Sequence, residues 1–215
     1  MIKFNFKLNK DKTIAATVPE GWHEVKLKHI INLESKWSGE SSDMIGLLSS
    51  FTDCAYEEIE HSKEDLWEPL FRVLSFVFEA PKWQKIKKPK TVTIGSKVIK
   101  PPRNLSLETF GQKILALKLI TNEENQINNI PDIVAIYLQP AYDGLFNSGR
   151  VADIKKLVLE MTAFDAMPYG LFFFKKLLKP RRFGKLGLKV SQKMLKNLIS
   201  IHSQVGTNSP NLMTS

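Results

Sequence analysis

Near its start the chain alternates. In KFNFKL (3–8) and TIAATV (13–18) apolar side chains fall on every second position, either side of Asn9-Lys10-Asp11-Lys12. Period two belongs to a strand and the polar residues between are turn formers, so a β-hairpin is predicted, ended by Pro19-Glu20-Gly21. The interval then changes. Val25, Leu27, Ile30, Ile31, Leu33 and Trp37 recur with helical spacing, Gly39, Ser41 and Ser42 interrupt them, and Asp43 stands as a cap before the apolar run Met44 to Phe51.

Ser62-Lys63-Glu64-Asp65 sets a hydroxyl three residues ahead of a carboxylate, close to a capping box, and Leu66, Leu70, Val73, Leu74 and Val77 follow on one stripe until Pro81. A second short alternation, TVTIGSKVI (91–99), breaks at Gly95-Ser96 and predicts another small hairpin. Pro101-Pro102 imposes an extended link, and Ser106 then precedes a helix with Phe110, Ile114, Leu115, Leu117 and Leu119. NEENQINN (122–129) is polar and reads as a loop. A helix is expected from Ile130, with Pro131 in its first turn and Pro140 as its end. Two more are expected over Arg150 to Met161 and Ala163 to Lys179, the second interrupted near Pro168.

The last predicted helix, Lys185 to His202, is two-sided. At 100° per residue from Val190, the residues Leu186, Val190, Met194, Leu198 and Ile201 fall between about −40° and +80°, and Lys185, Lys189, Lys193 and Lys196 between about 220° and 300°. The fold class expected is therefore α+β, predominantly helical: two small β-hairpins, a helical bundle and a basic C-terminal helix. The expected organisation is a mainly helical domain over 1–180, a basic amphipathic helical extension over 181–203 and a polar tail over 204–215. No internal repeat beyond the hairpins is visible.

Composition narrows the class. With 215 residues and 43% hydrophobic content the chain can bury a real core. The single Cys54 cannot close an intramolecular disulfide, and MIKFNFKLNKDK shows no apolar stretch of a secretory signal, so a reducing compartment is expected. The longest strongly apolar stretch, Ala166 to Phe174, is about half of the ~20 residues a spanning helix needs, and no membrane partner is expected.

The net charge of +9 is placed unevenly. Residues 1–165 hold 22 Lys+Arg and 22 Asp+Glu, and no acid follows Asp165. Beyond it stand Lys175, Lys176, Lys179, Arg181, Arg182, Lys185, Lys189, Lys193 and Lys196. A second acid-free window, 82–103, holds Lys82, Lys85, Lys87, Lys88, Lys90, Lys97, Lys100 and Arg103. A charge run is often only a solvated face; two such zones point to an anionic partner, whether nucleic acid, a lipid surface or acidic protein subunits.

No reaction is written in the motifs. His23, His29, His61 and His202 stand far apart, Cys54 has neither a CxxC partner nor a neighbouring base, and there is no GxxxxGK[ST] or GxGxxG, so no metal, cofactor or small-molecule substrate is expected. The nearest catalytic pattern is Pro131-Asp132 with Asp153-Ile154-Lys155, the spacing of PD-(D/E)xK nucleases, which need two carboxylates on a metal and a lysine beside them. Here Asp153 and Lys155 fall in a run of helical period (Val151, Ile154, Leu157, Val158), where residues two apart diverge. No catalytic residue is assigned. Phe172-Phe173-Phe174 reads as a helix buried on most sides, in preference to a lipid-inserting wedge.

One stretch resembles a known group. IPDIVAIYLQPAYDGLFNSGRVADIKKLVLEMTAFDAMPYGLFFFKKLL (130–178) resembles a segment of small tail-region proteins of tailed bacteriophages, the crAss-like group and relatives: a helix ending in Tyr-Leu-x-Pro, an arginine-bearing helix, then a proline and an FF(L/F) stretch. TVPEGWHEVKLKHIINL (17–33) and TVTIGSKVIKPPRNLSLETFGQ (91–112) are similar to the same group's strand, Trp-containing turn and helix. The resemblance implies a structural or assembly protein of a phage virion, not an enzyme: a tail or head-to-tail ring or connector subunit, or a tail assembly chaperone. It would be assembled in the host cytoplasm and located in the virion, with other phage structural proteins and further copies of itself as partners. The alternative is a nucleic-acid-binding protein, or less plausibly a nuclease, using basic zones 82–103 and 175–196. On either reading the partner-binding candidates are Arg181, Arg182, Lys185, Lys189, Lys193, Lys196, Lys87 and Lys88.

Overall fold

The structure, a computed structural model, describes residues 1–7, 13–52, 54–63, 67–105, 108–121 and 127–177. It is mainly helical with two small antiparallel hairpins, the α+β class expected. The predicted basic helix at 185–202, with Arg181 and Arg182, and the tail after it lie outside the described residues. The described residues divide into two compact units: Met1–Glu24 with Asn32–Pro81, and Val25–Ile31 with 82–177.

In the first unit β1 (Ile2–Lys7) pairs with β2 (Thr13–Val18) from Ile2 opposite Val18 to Lys7 opposite Thr13. Alternation buries Ala16 and Val18. Helix α1 (Leu27–Lys36) ends in this unit, followed by α2 (Met44–Phe51). Asp43 caps α2: its Oδ1 accepts from the Gly46 amide at 2.9 Å, and Oδ2 accepts from the Ser38 amide at 2.7 Å. Gly46 through Phe51 are all buried, and Ser49 and Ser50 satisfy their hydroxyls by donating back to the Gly46 carbonyl.

Helices α3 (Tyr56–Glu60) and α4 (Glu68–Leu74) follow. Ser62 does not cap α4. Its hydroxyl donates to the Ile59 carbonyl and accepts from the Trp67 indole, so it closes the end of α3, and Pro69 opens α4. A 3-10 turn, Ser75–Phe78, continues α4. The Trp22 indole donates to the Phe76 and Glu79 carbonyls at 3.0 and 2.9 Å and meets the Phe76 ring edge-on at 5.6 Å.

The second unit is built around one helix. After hairpin β3 (Val92–Ile94) and β4 (Lys97–Ile99), turned by Gly95 at φ 57°, come α5 (Phe110–Thr121), α6 (Ile130–Asp143), α7 (Val151–Leu159) and α8 (Ala163–Leu177). Thr109 and Gln112 form a reciprocal cap on α5: the Gln112 amide donates to Thr109 Oγ1 at 3.2 Å, and the Thr109 amide to Gln112 Oε1 at 3.0 Å. Helix α6 packs on α5, α7 and α8 and buries Ile130, Ile133, Val134, Ile136, Tyr137 and Leu138. At the start of the unit Leu27 donates to the Met161 carbonyl, Ala163 donates to the Val25 carbonyl, and Lys26 and Lys28 hold Glu160 at 2.6 and 2.9 Å.

Two expectations about proline are corrected. Pro140 does not end α6, which runs on to Asp143. A proline at 140 withdraws the donor that the Ile136 carbonyl needs four residues back. Gln112 supplies one instead: its side-chain amide reaches that carbonyl from α5 at 3.1 Å, in a buried position. Nor does Pro168 interrupt α8, which is continuous from Ala163 to Leu177. The helix is held there by burial on α6, where Gly170 lies so close that a Cβ would stand 2.6 Å from Ile130 Cγ2.

Two outcomes follow. Gln112→Ala should cost about 1–3 kcal/mol by leaving the Ile136 carbonyl unpaired. In a Pro140→Ala background, where residue 140 regains its N–H, the same change should cost less; equal losses in denaturant unfolding of both backgrounds would refute the bridge. Gly170→Ala should destabilise by about 1–3 kcal/mol through overpacking against Ile130. A melting temperature unchanged within error would show that α6 and α8 do not approach this closely.

Candidate functional site

The helical period of α8 puts Tyr169, Phe172 and Phe173 side by side at i, i+3 and i+4. Phe173 is the inward one: it is fully buried and stacks on Tyr137 of α6 at 4.5 Å and 27°. Phe174 is buried as well, while Phe172 is half-exposed. The triplet is thus mostly core, as its pattern implied. No described helix is long and apolar enough to cross a membrane.

A basic segment is laid along this aromatic row. The 3-10 turn Trp83–Lys85 anchors it, with the Trp83 ring tilted against Phe164 of α8 at 5.5 Å. Further on, the Tyr169 hydroxyl donates to the Pro89 carbonyl. Between these ties Lys88 turns onto the rings, its Nζ 3.1 Å from the centroid of Phe172 and 5.6 Å from that of Tyr169. From α8 itself Lys176 Nζ stands 5.8 Å from the same Phe172 centroid. The two acid-free zones of the sequence meet at one aromatic ring.

Cation–π attraction is worth about 0.5–2 kcal/mol, depending on desolvation. It steadies each ammonium group and does nothing for the repulsion between two of them. Lys88 is held below the ordinary lysine range, first by burial and then by the charge of Lys176. In the same acid-free window as Lys88, the side chains of Lys82, Lys85, Lys87, Lys90, Lys97, Lys100 and Arg103 are exposed, and among the described residues none of them is in an ion pair. Lys97 has a private role, over the Tyr142 ring at 4.3 Å and donating to the Tyr142 carbonyl at 3.2 Å. The arrangement is a positive face with an aromatic base, suited to carboxylate or phosphate oxygens.

Of the predicted partner-binding residues, Lys88 is at the centre of this face and Lys87 is exposed beside it. Arg181, Arg182, Lys185, Lys189, Lys193 and Lys196 lie outside the described residues. Tyr169 and Phe172, which carry the face, are legible in the sequence only as an i, i+3 aromatic pair inside an apparent core run.

The nuclease-like residues do not converge. Lys155 of α7 pairs with Asp132 of α6 at 2.9 Å, whereas Asp153 pairs with Arg150 at 2.8 Å. No three His, Cys, Asp or Glu side chains are grouped for a metal among the described residues. His29 is buried and accepts from the Lys26 amide, and Cys54 is buried. A small cleft of about 170 Å³, lined in part by Pro102, Leu105, Glu108, Tyr137 and Pro140, holds a further polar pairing that the sequence did not signal. There Tyr137 donates to Glu108, and burial together with that bond pushes its phenol well above the ordinary tyrosine range. The pair is a proton-holding hydrogen bond in an apolar wall.

The chain matches no protein-family model, no curated protein and no solved structure.

Lys88 can be read directly. An NMR titration of the lysine ε-amines should find it below the ordinary value of about 10.4, and Lys176→Gln should restore part of the difference, because burial is the larger cause. Folded chain then binds fewer protons than unfolded chain between the lowered and the ordinary value, so Lys88 makes stability rise with pH across that window. Lys88→Met should abolish this contribution; an unaltered stability profile would contradict the placement on Phe172.

Proposed function

We propose that this chain is a structural or assembly protein of a tailed-bacteriophage virion, a ring or connector subunit or a tail assembly chaperone, working through protein–protein contacts. The observation that carries the reading is the resemblance of 130–178, together with 17–33 and 91–112, to tail-region proteins of that kind. The structure is compatible in a specific way. Residues 130–177 form α6, α7 and α8, and Tyr137 and Leu138 of the Tyr-Leu-x-Pro element and Phe173 and Phe174 of the phenylalanine stretch are buried among them. A face whose Lys88 and Lys176 are in no ion pair among the described residues gives such a subunit something to present to an acidic neighbour.

Exposure of the 82–103 cations favours one second reading, binding to nucleic acid through phosphates. Tryptic peptides of the chain in purified virions support the virion subunit; abundance in infected lysate with none in virions supports the chaperone. Presence in neither overturns the phage reading. A phosphate-dominated binder should lose affinity steeply between about 50 and 200 mM salt, and absence of DNA retardation even at low salt would remove the second reading.

A further inference from the structure

The charge balance of residues 1–165 conceals a separation. Met1–Glu24 with Asn32–Pro81 holds 7 Lys+Arg against 14 Asp+Glu. Val25–Ile31 with residues 82–165 holds 15 against 8, and Lys175 and Lys176 follow without an acid. One compact unit is strongly acidic and the other strongly basic. Two copies of such a chain attract when the basic unit of one meets the acidic unit of the next, and repel when like units meet.

Each unit offers a defined patch. On the basic one it is the face over Phe172, with Lys87, Lys88 and Lys176. On the acidic one it is α3, where Glu57 and Glu60 stand three residues apart on one side of the helix, both exposed, next to Tyr56 at 45% exposure. Glu57 has no cation partner among the described residues, and Glu60 has only the exposed His61 ring at 4.0 Å. Two carboxylates about 5–6 Å apart at Cβ offer one negative charge to each of the two ammonium groups that Phe172 gathers.

We propose that the lysine face over Phe172 docks on Glu57 and Glu60 of a second copy, so that copies associate head to tail. Such a contact uses different patches on the two molecules, and it closes into a ring or runs on as a filament according to the rotation it imposes. The occupant is a second copy, in preference to nucleic acid, because the complementary charge is carried by the chain itself and Lys88 occupies a face of the Phe172 ring on which a base would otherwise stack. The inference stands apart from the phage reading, since it concerns the purified chain alone.

The test uses the full-length protein and light scattering during size exclusion. Wild type should gain mass with concentration at low salt and lose it as the Debye length falls to about 8 Å. Lys88→Gln/Lys176→Gln and Glu57→Gln/Glu60→Gln should each associate about tenfold or more weakly. Mixed, the two variants retain one intact lysine face and one intact acidic patch, so they should form a one-to-one dimer and nothing larger. Lys87→Gln/Lys176→Gln, changed only at exposed positions, repeats the test should the Lys88 variant fail to fold. A wild type monomeric at every concentration, variants that associate like wild type, or a monomer that retards duplex DNA through the same lysines would each overturn the proposal.

Discussion

A carbonyl inside a buried helix must find a donor, and in α6 the chain has removed the nearest one by placing proline at 140. Because α6 is the helix against which α5, α7 and α8 all pack, an unpaired Ile136 carbonyl would sit at the centre of the second unit. Gln112 resolves this from the neighbouring helix, and its other end helps cap the helix it belongs to. One side chain thus settles where α5 begins, how α6 continues past its proline, and how closely the two lie. The pairing of Lys155 with Asp132 ties α7 to α6 on another side, and Gly170 lets α8 come against Ile130.

The aromatic face follows from that packing. Phe173 enters the core against Tyr137, which turns Phe172 outward by one helical step, and the segment beyond Trp83 is tied down so that Lys88 reaches it. The electrostatics of the face come from two ammonium groups that share a ring, with neither in an ion pair among the described residues. Attraction to the ring orients the charges, and their mutual repulsion leaves free energy to be gained from an anion.

Much of the fold was legible because period and punctuation are local. Both hairpins, the Asp43 cap and the positions of α5 to α8 follow from alternation, turn residues and helical spacing. The readings that depended on proline failed for a non-local reason. The donor that rescues Pro140 comes from a residue 24 positions away, and the burial that carries α8 through Pro168 is tertiary. Ser62 misled in another way, since its hydroxyl serves Trp67 and the end of α3 rather than a helix start. Of the candidate site, the cations were visible as acid-free windows; that Lys88 and Lys176 meet at Phe172 was not, because nothing in a linear charge count says which residues share a ring. The same count summed to zero over 1–165 while hiding two units of opposite sign.

The hydrogen bond from Gln112 to Ile136 also bears on how this sequence can drift. A lineage that loses Gln112 first inherits a helix with a hole in its ladder, whereas one that first exchanges Pro140 for a residue with an N–H frees position 112 at little cost. The order of the two changes is therefore constrained, and among diverged copies of this protein positions 112 and 140 should vary together, although neither belongs to the lysine face over Phe172.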